Sequence, residues 1–139
     1  MNTKIFVNLP VSDLKKTMAF FSALGYTFNP QFSDEKAACM VISEDIYAML
    51  IMKDFFKTFI TKDITDTSKT VEVILSLTAD SRAEVDALML KAERAGAELT
   101  ETRDYGWMYQ RGFTDLDGHY WEVGYMDMNA IPADLGSAT

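Results

Sequence analysis

The residue types best suited to holding a small molecule cluster late in the chain, in Tyr105-Gly-Trp107-Met-Tyr109-Gln-Arg111-Gly-Phe113. Side chains along an extended strand alternate between faces. Tyr105, Trp107, Tyr109, Arg111 and Phe113 therefore share one side, and Gly106, Met108, Gln110 and Gly112 the other. Four aromatic rings and one guanidinium on one face make a wall suited to a planar or anionic ligand; the competing reading is a strand covering a core or a subunit contact. Directly after it stands Asp115-Leu-Asp117-Gly118-His119-Tyr120-Trp121-Glu122. His119 precedes Glu122 by an odd number of positions, so in a strand the two point to opposite faces and cannot chelate one metal without a bulge. Cys39 lies in an apolar run far from the single histidine and reads as a small buried hydrophobe rather than a nucleophile.

These groups must be positioned by a simple set of elements. Lys4–Val11 alternates as a strand, and Ser12-Asp13 offers an N-cap to a helix carrying Leu14, Met18, Phe21 and Leu24, which Gly25 ends. Three short strands follow over Tyr26–Phe32, Ala37–Ser43 and Ile46–Met52. Phe55, Phe56, Phe59 and Ile60 then recur at helical spacing, predicting a short amphipathic helix ahead of a polar linker, either a lid over a cavity mouth or, the favoured reading, a helix packed on the core or on a second subunit. The order repeats: a strand over Thr70–Thr78, a helix capped by Asp80 or Ser81 and ended by Gly96, and strands over Ala97–Arg103, Trp107–Thr114 and Tyr120–Met126. Aligning Phe6–Val11 with Glu72–Leu77 superposes the two β-α-β-β-β halves.

The chain has 139 residues, 48% hydrophobic and 24% charged, which is the composition of a globular domain with a real core. With 13 basic and 21 acidic side chains it carries −8 at pH 7, and electrostatic attraction to nucleic acid or anionic lipid is unfavourable. The longest apolar run, near Ile46–Met52, is far shorter than the roughly 20 residues that cross a bilayer. One cysteine and no evident leader sequence imply a cytoplasmic protein.

The paired βαβββ modules, Val11-Ser12-Asp13-Leu14, Phe20-Phe21-x-x-Leu24-Gly25 and the Asp115-to-Glu122 segment together resemble the vicinal-oxygen-chelate superfamily, which contains glyoxalase I, bleomycin-resistance proteins and extradiol dioxygenases. The resemblance covers about residues 4–126 and implies an α+β fold: two tandem βαβββ modules forming a cupped mixed sheet around a cavity, often completed by dimerisation. It implies module one at about 4–53, a linker helix over 54–69, module two at about 70–126 and a tail over 127–139. Enzymatic members carry four metal ligands on the cavity face, and the matching positions here are Phe6, Glu72, Met49 or Leu50, and Glu122. Two of these can ligate, where the chemistry needs at least three and an open position.

The resulting expectation is a homodimer that binds a small organic molecule in an aromatic-lined cavity without a complete metal site, as bleomycin-resistance proteins do. Glu72 and Glu122 are the candidate catalytic carboxylates, one with a raised pKa if they lie close together. Phe6, Asn8, Trp107, Tyr109, Arg111 and Tyr120 are the candidate ligand-binding residues. No cofactor is expected in this reading. The alternative is a divalent-metal-dependent glyoxalase-like lyase or dioxygenase-like enzyme in which Glu72 and Glu122 hold the ion.

Overall fold

The computed structural model describes residues 2–134, and the chain divides into two compact units, 1–70 and 71–139. Of the tail expected over 127–139, residues 135–139 lie outside the described part. No helix among the described residues is long and apolar enough to cross a membrane.

In the first unit β1 (Ile5–Val11) leads into α1 (Leu14–Leu24), then β2 (Thr27–Asn29), β3 (Ala37–Val41) and β4 (Ile46–Met52), in a sheet ordered β1-β4-β3-β2 with β1 parallel to β4. The helix starts where Asp13 accepts the Lys16 N–H and stops at Gly25, whose φ of 106° is the left-handed conformation that glycine reaches without steric cost. Its Leu14, Thr17, Phe20, Phe21 and Leu24 form one buried stripe against the sheet, where Ala38, Met40, Ala48 and Leu50 are fully buried. The strand expected over Tyr26–Phe32 ends at Asn29. Pro30 has no N–H to donate to a ladder, and the Asn29 side chain instead accepts the Gln31 N–H to open a 3-10 turn over Pro30–Phe32. The aromatic segment after β4 forms α2 (Lys53–Phe56) and a 3-10 turn over Lys57–Phe59, packed back on β1 and β4, with Phe55 and Phe59 edge to face at 4.9 Å.

The second unit repeats the plan with β5 (Ile74–Thr78), α3 (Arg82–Arg94), β6 (Glu98–Leu99), β7 (Arg103–Asp104), β8 (Met108–Thr114) and β9 (Tyr120–Met126). Its sheet runs β5-β9-β8-β6, with β7 also paired to β8. Ser81 accepts the Glu84 N–H while the Glu84 carboxylate accepts the Asp80 N–H, a reciprocal arrangement close to a capping box. Val85, Met89 and Ala92 of α3 are fully buried, as are Phe113, Trp121 and Val123 of the sheet.

The strand expected over Ala97–Arg103 is broken. Leu99 stands opposite Phe113, yet Arg103 stands opposite Gln110, so four steps along one strand meet three along the other. One extra residue between Thr100 and Arg103 makes a β-bulge, which shifts the alternation of everything after it. In an unbroken strand Thr102 would face Gln110 and Arg103 would point at α3.

Candidate functional site

Glu122 lies on β9 opposite Ser76 on one side and Gly112 on the other. The face is set by its neighbours. Trp121 and Val123 are buried under α3, so Glu122 and Tyr120 take the opposite face, with Ile74 and Ser76 beside them on β5. The Ser76 hydroxyl donates to Glu122 Oε2 at 3.1 Å, and Gln110 Nε2 donates to the same oxygen at 2.7 Å. Gly112 lets Thr100 and the β9 backbone close in beside Glu122, because an ideal Cβ there would lie 2.6 Å from Thr100 Oγ1 and 2.7 Å from the Trp121 carbonyl oxygen.

The bulge adds a cation to this face. Arg103, opposite Gln110, borders a pocket of about 170 Å³ together with Ile74, Thr100, Gln110, Tyr120 and Glu122. Among the described residues Arg103 has no ion-pair partner. Its neighbour Asp104 points to the other side, where Arg82 of α3 grips it through two hydrogen bonds of 2.9 and 2.8 Å. That guanidinium and the Gly106 N–H hold the Asp104 carboxyl down at about 2. Arg103 is a residue that sequence reasoning does not single out; the register across β8 is what reveals it on this face.

Several expected site residues stand elsewhere. Tyr109 and Arg111 do not line up with Glu122; the register pairs them with Tyr125 and Val123, on the α3 side. There the Tyr109 hydroxyl donates to Asp86 Oδ1 at 2.6 Å, Arg111 Nη1 reaches the same oxygen at 2.9 Å, and the Arg82 guanidinium lies 4.7 Å from the Tyr109 ring centre. These two donors lower the Asp86 pKa. Arg111 borders the pocket while its guanidinium is committed to Asp86. Trp107 precedes β8, and its carbonyl accepts the Asp127 N–H. Tyr120 does line the pocket.

Glu72 is exposed and precedes β5, which begins at Ile74. In the parallel register the residue level with Glu122 is Ser76, four residues on, so Glu72 lies about 13 Å away along the strand. The two carboxylates are too far apart in register for the mutual repulsion expected of a close pair. The N-caps Asp13 and Ser81 fall seven residues after Phe6 and Ile74 respectively, so the repeat aligns Phe6 with Ile74, and the match to Glu72 was displaced by two. Phe6 and Asn8 belong to the first unit, on the sheet face opposite α1. Phe6 stacks on Tyr47 at 4.6 Å between ring centres, and Asn8 Nδ2 donates to the Phe6 carbonyl.

The positions that the resemblance assigns to metal ligands carry few hard donors. Phe6, Ile74 and Met49 offer no hard ligand, Glu122 offers one, and no group of three His, Cys, Asp or Glu side chains converges among the described residues. Cys39 is buried, and burial pushes its thiol up, away from the reactive thiolate.

The acidic motif before Glu122 has a structural task. Asp115, 7% exposed, accepts the N–H groups of Asp117 and His119 on Oδ1 and the Trp121 indole N–H on Oδ2, closing the loop between β8 and β9. Burial raises its pKa against the opposing pull of His119 and those donors. The loop thereby ties the start of β9 and the buried Trp121 indole to the end of β8.

Residues 3–43 match the family model described as bleomycin resistance protein-like N-terminal. No curated protein matches the chain significantly. Among solved structures, the hypothetical protein SA1046 from S. aureus is 30% identical, with 90% of this chain and 95% of that one covered at a TM-score of 0.76. A glyoxalase/bleomycin resistance protein/dioxygenase family enzyme from Burkholderia phytofirmans PsJN is 16% identical, covering 87% and 96% at 0.72. TnmS3, an antibiotic binding protein from Streptomyces sp. CB03234, is 18% identical, covering 91% and 97% at 0.65. With its two βαβββ units and these matches, the chain belongs to the vicinal-oxygen-chelate superfamily of glyoxalase, bleomycin-resistance and dioxygenase-like proteins.

Proposed function

We propose that this protein binds a small organic molecule, without a resident metal, in the pocket on the β5-β9-β8 face of its second unit. The observation that carries the reading is the convergence of Arg103, Gln110, Tyr120 and Glu122 on one pocket, with the half-exposed Ile74 at its edge, a few placed polar groups beside apolar side-chain surface. At about 170 Å³ the pocket suits a ligand smaller than the drug-sized molecules that fill 300–1,000 Å³ sites. The antibiotic-binding name of a relative with this fold agrees with sequestration as the task. A cytoplasmic homodimer is part of the proposal. β1 and β5 are each the edge strand of their own sheet, and Ile5 and Phe6 on the one and Val73 beside the other are about half exposed, so each edge by itself is suited to association.

The test is a thermal-shift screen of small metabolites, with metal content measured on the same purified protein. A ligand at 100 times its dissociation constant adds about 2.7 kcal/mol of stability, and a chelator is expected to leave that gain unchanged. Stoichiometric tight metal together with a chelator-sensitive turnover would overturn the proposal in favour of the metal-dependent enzyme.

A further inference from the structure

Resting on the binding reading above, we infer that the ligand is a small monocarboxylic acid that also carries a hydroxyl or amino group, its anionic end held by Arg103 and its donor end by Glu122. The argument begins with hydrogen-bonding capacity. Arg103 has five N–H donors in a planar fork and no acceptor, a geometry matched by a carboxylate, and no acidic side chain among the described residues occupies it. Glu122 presents the opposite polarity. Ser76 and Gln110 both donate to Oε2, and no hydrogen bond among the described residues reaches Oε1, which is left to accept from a ligand.

Spacing and charge narrow the class. Arg103 on β7 and Glu122 on β9 are separated by β8 and offset by two residues along it, about 12 Å from backbone to backbone, with Gln110 opposite Arg103 and donating to Glu122. A pocket of about 170 Å³ has the volume of about six waters in the liquid, the size of a short-chain hydroxy or amino acid. Glu101, exposed on the bulge, also borders the pocket, so two carboxylates stand around one guanidinium whose basic neighbour Arg111 is committed to Asp86. That balance disfavours dianions, and the excess of acceptors over free cation calls for a hydroxyl or ammonium donor on the ligand in addition to the carboxylate that Arg103 takes. The bulge makes the arrangement possible, since it alone turns Arg103 to the Glu122 side.

The experiment is an amide NMR titration of the full chain with 3-hydroxybutyrate and 3-aminobutyrate, against butyrate for the anion alone and 2-butanol for the donor alone. Wild type is expected to bind the two bifunctional acids at least about tenfold more tightly than either single-group probe. R103Q should weaken 3-hydroxybutyrate by about ten- to a hundredfold, the loss of a charged hydrogen bond, with R103K intermediate and 2-butanol unaffected. E122Q should weaken 3-aminobutyrate more than butyrate. Folded R103Q that binds 3-hydroxybutyrate within twofold of wild type overturns the inference, as does wild type that prefers 2-butanol or ignores all four probes. Pocket resonances that respond to neutral or purely cationic molecules in place of these acids refute this ligand class and leave the binding reading standing. A broad thermal-shift screen without a hit refutes both.

Discussion

Replacing Asp115 with alanine is expected to destabilise the second unit by about 2–4 kcal/mol, through the hydrogen bonds that one buried carboxylate makes. Three N–H donors end on it, at 2.9, 3.0 and 2.9 Å. The Trp121 indole is 3% exposed and has no water to turn to, so its stranded N–H costs about 1–3 kcal/mol. The Asp117 and His119 amides lie in a half-buried loop where water can replace the carboxylate, at about 0.5–1.5 kcal/mol each. Against this, alanine relieves the charge burial that raises the Asp115 pKa, which returns part of the loss. Both tryptophans of the chain, Trp107 and Trp121, lie in this unit, so urea unfolding followed by tryptophan fluorescence reads the relevant transition. With a slope of about 2 kcal/mol per molar urea the midpoint should fall by about 1–2 M. Asp115→Asn should lose less, because the amide oxygen still accepts while its NH₂ group must face one of the donors. The pH dependence has a definite sign. A folded pKa above the unfolded 3.8 gives a contribution fully present below 3.8 and lost as pH rises through the folded value, so the advantage of wild type over Asp115→Asn should grow on acidification toward 3.8. An Asp115→Ala midpoint within about 0.3 M of wild type would refute the reasoning and return the motif to a role other than closing the loop.

Two further outcomes follow from the same unit. Asp104, held at about 2 by Arg82, should titrate near that value by carboxyl-carbon NMR. Its stabilising effect is present above 3.8 and disappears as pH falls toward 2, and Arg82→Gln should move the midpoint up toward the ordinary carboxylate range, with the Gly106 N–H still holding it somewhat below. Gly112→Ala should cost about 1–3 kcal/mol by overpacking, because the new methyl meets the Trp121 carbonyl and Thr100 Oγ1, and calorimetry that finds it neutral would show the strands to be looser than described.

The parts of the fold that sequence could supply are those written in local chemistry. Asp13 and Gly25, like Ser81 and Gly96, bracket helices because capping and left-handed backbone are properties of single residues. Face assignment within β1, β5 and β9 also follows locally, since Leu9, Val11, Trp121 and Val123 can be buried only if Asn8, Ser76 and Glu122 are turned the other way. Register is different. Which residue of β5 stands level with Glu122 depends on a partner more than 40 positions away, and a displacement of two preserves every face, so Glu72 and Ile74 were indistinguishable by alternation.

β8 shows the remaining limit in a single strand. Its two faces, Tyr109-Arg111-Phe113 and Met108-Gln110-Gly112, are separable by alternation, but hydrophobicity does not decide which meets the helix, because both contain polar groups. The decision comes from α3. Arg82 and Asp86, four residues apart, share one helix face and would ordinarily be read as an exposed ion pair. Here they are directed at the sheet: Asp86 takes the Tyr109 hydroxyl and the Arg111 guanidinium, while Arg82 covers the Tyr109 ring and grips Asp104. The aromatic and basic residues are thereby drawn to the helix side, and Gln110 and Gly112 are left to form the pocket. Because Asp104 directly follows Arg103, the same helix face also fixes the strand that presents the pocket's cation. A network with no atom proposed to touch the ligand thus determines which residues do.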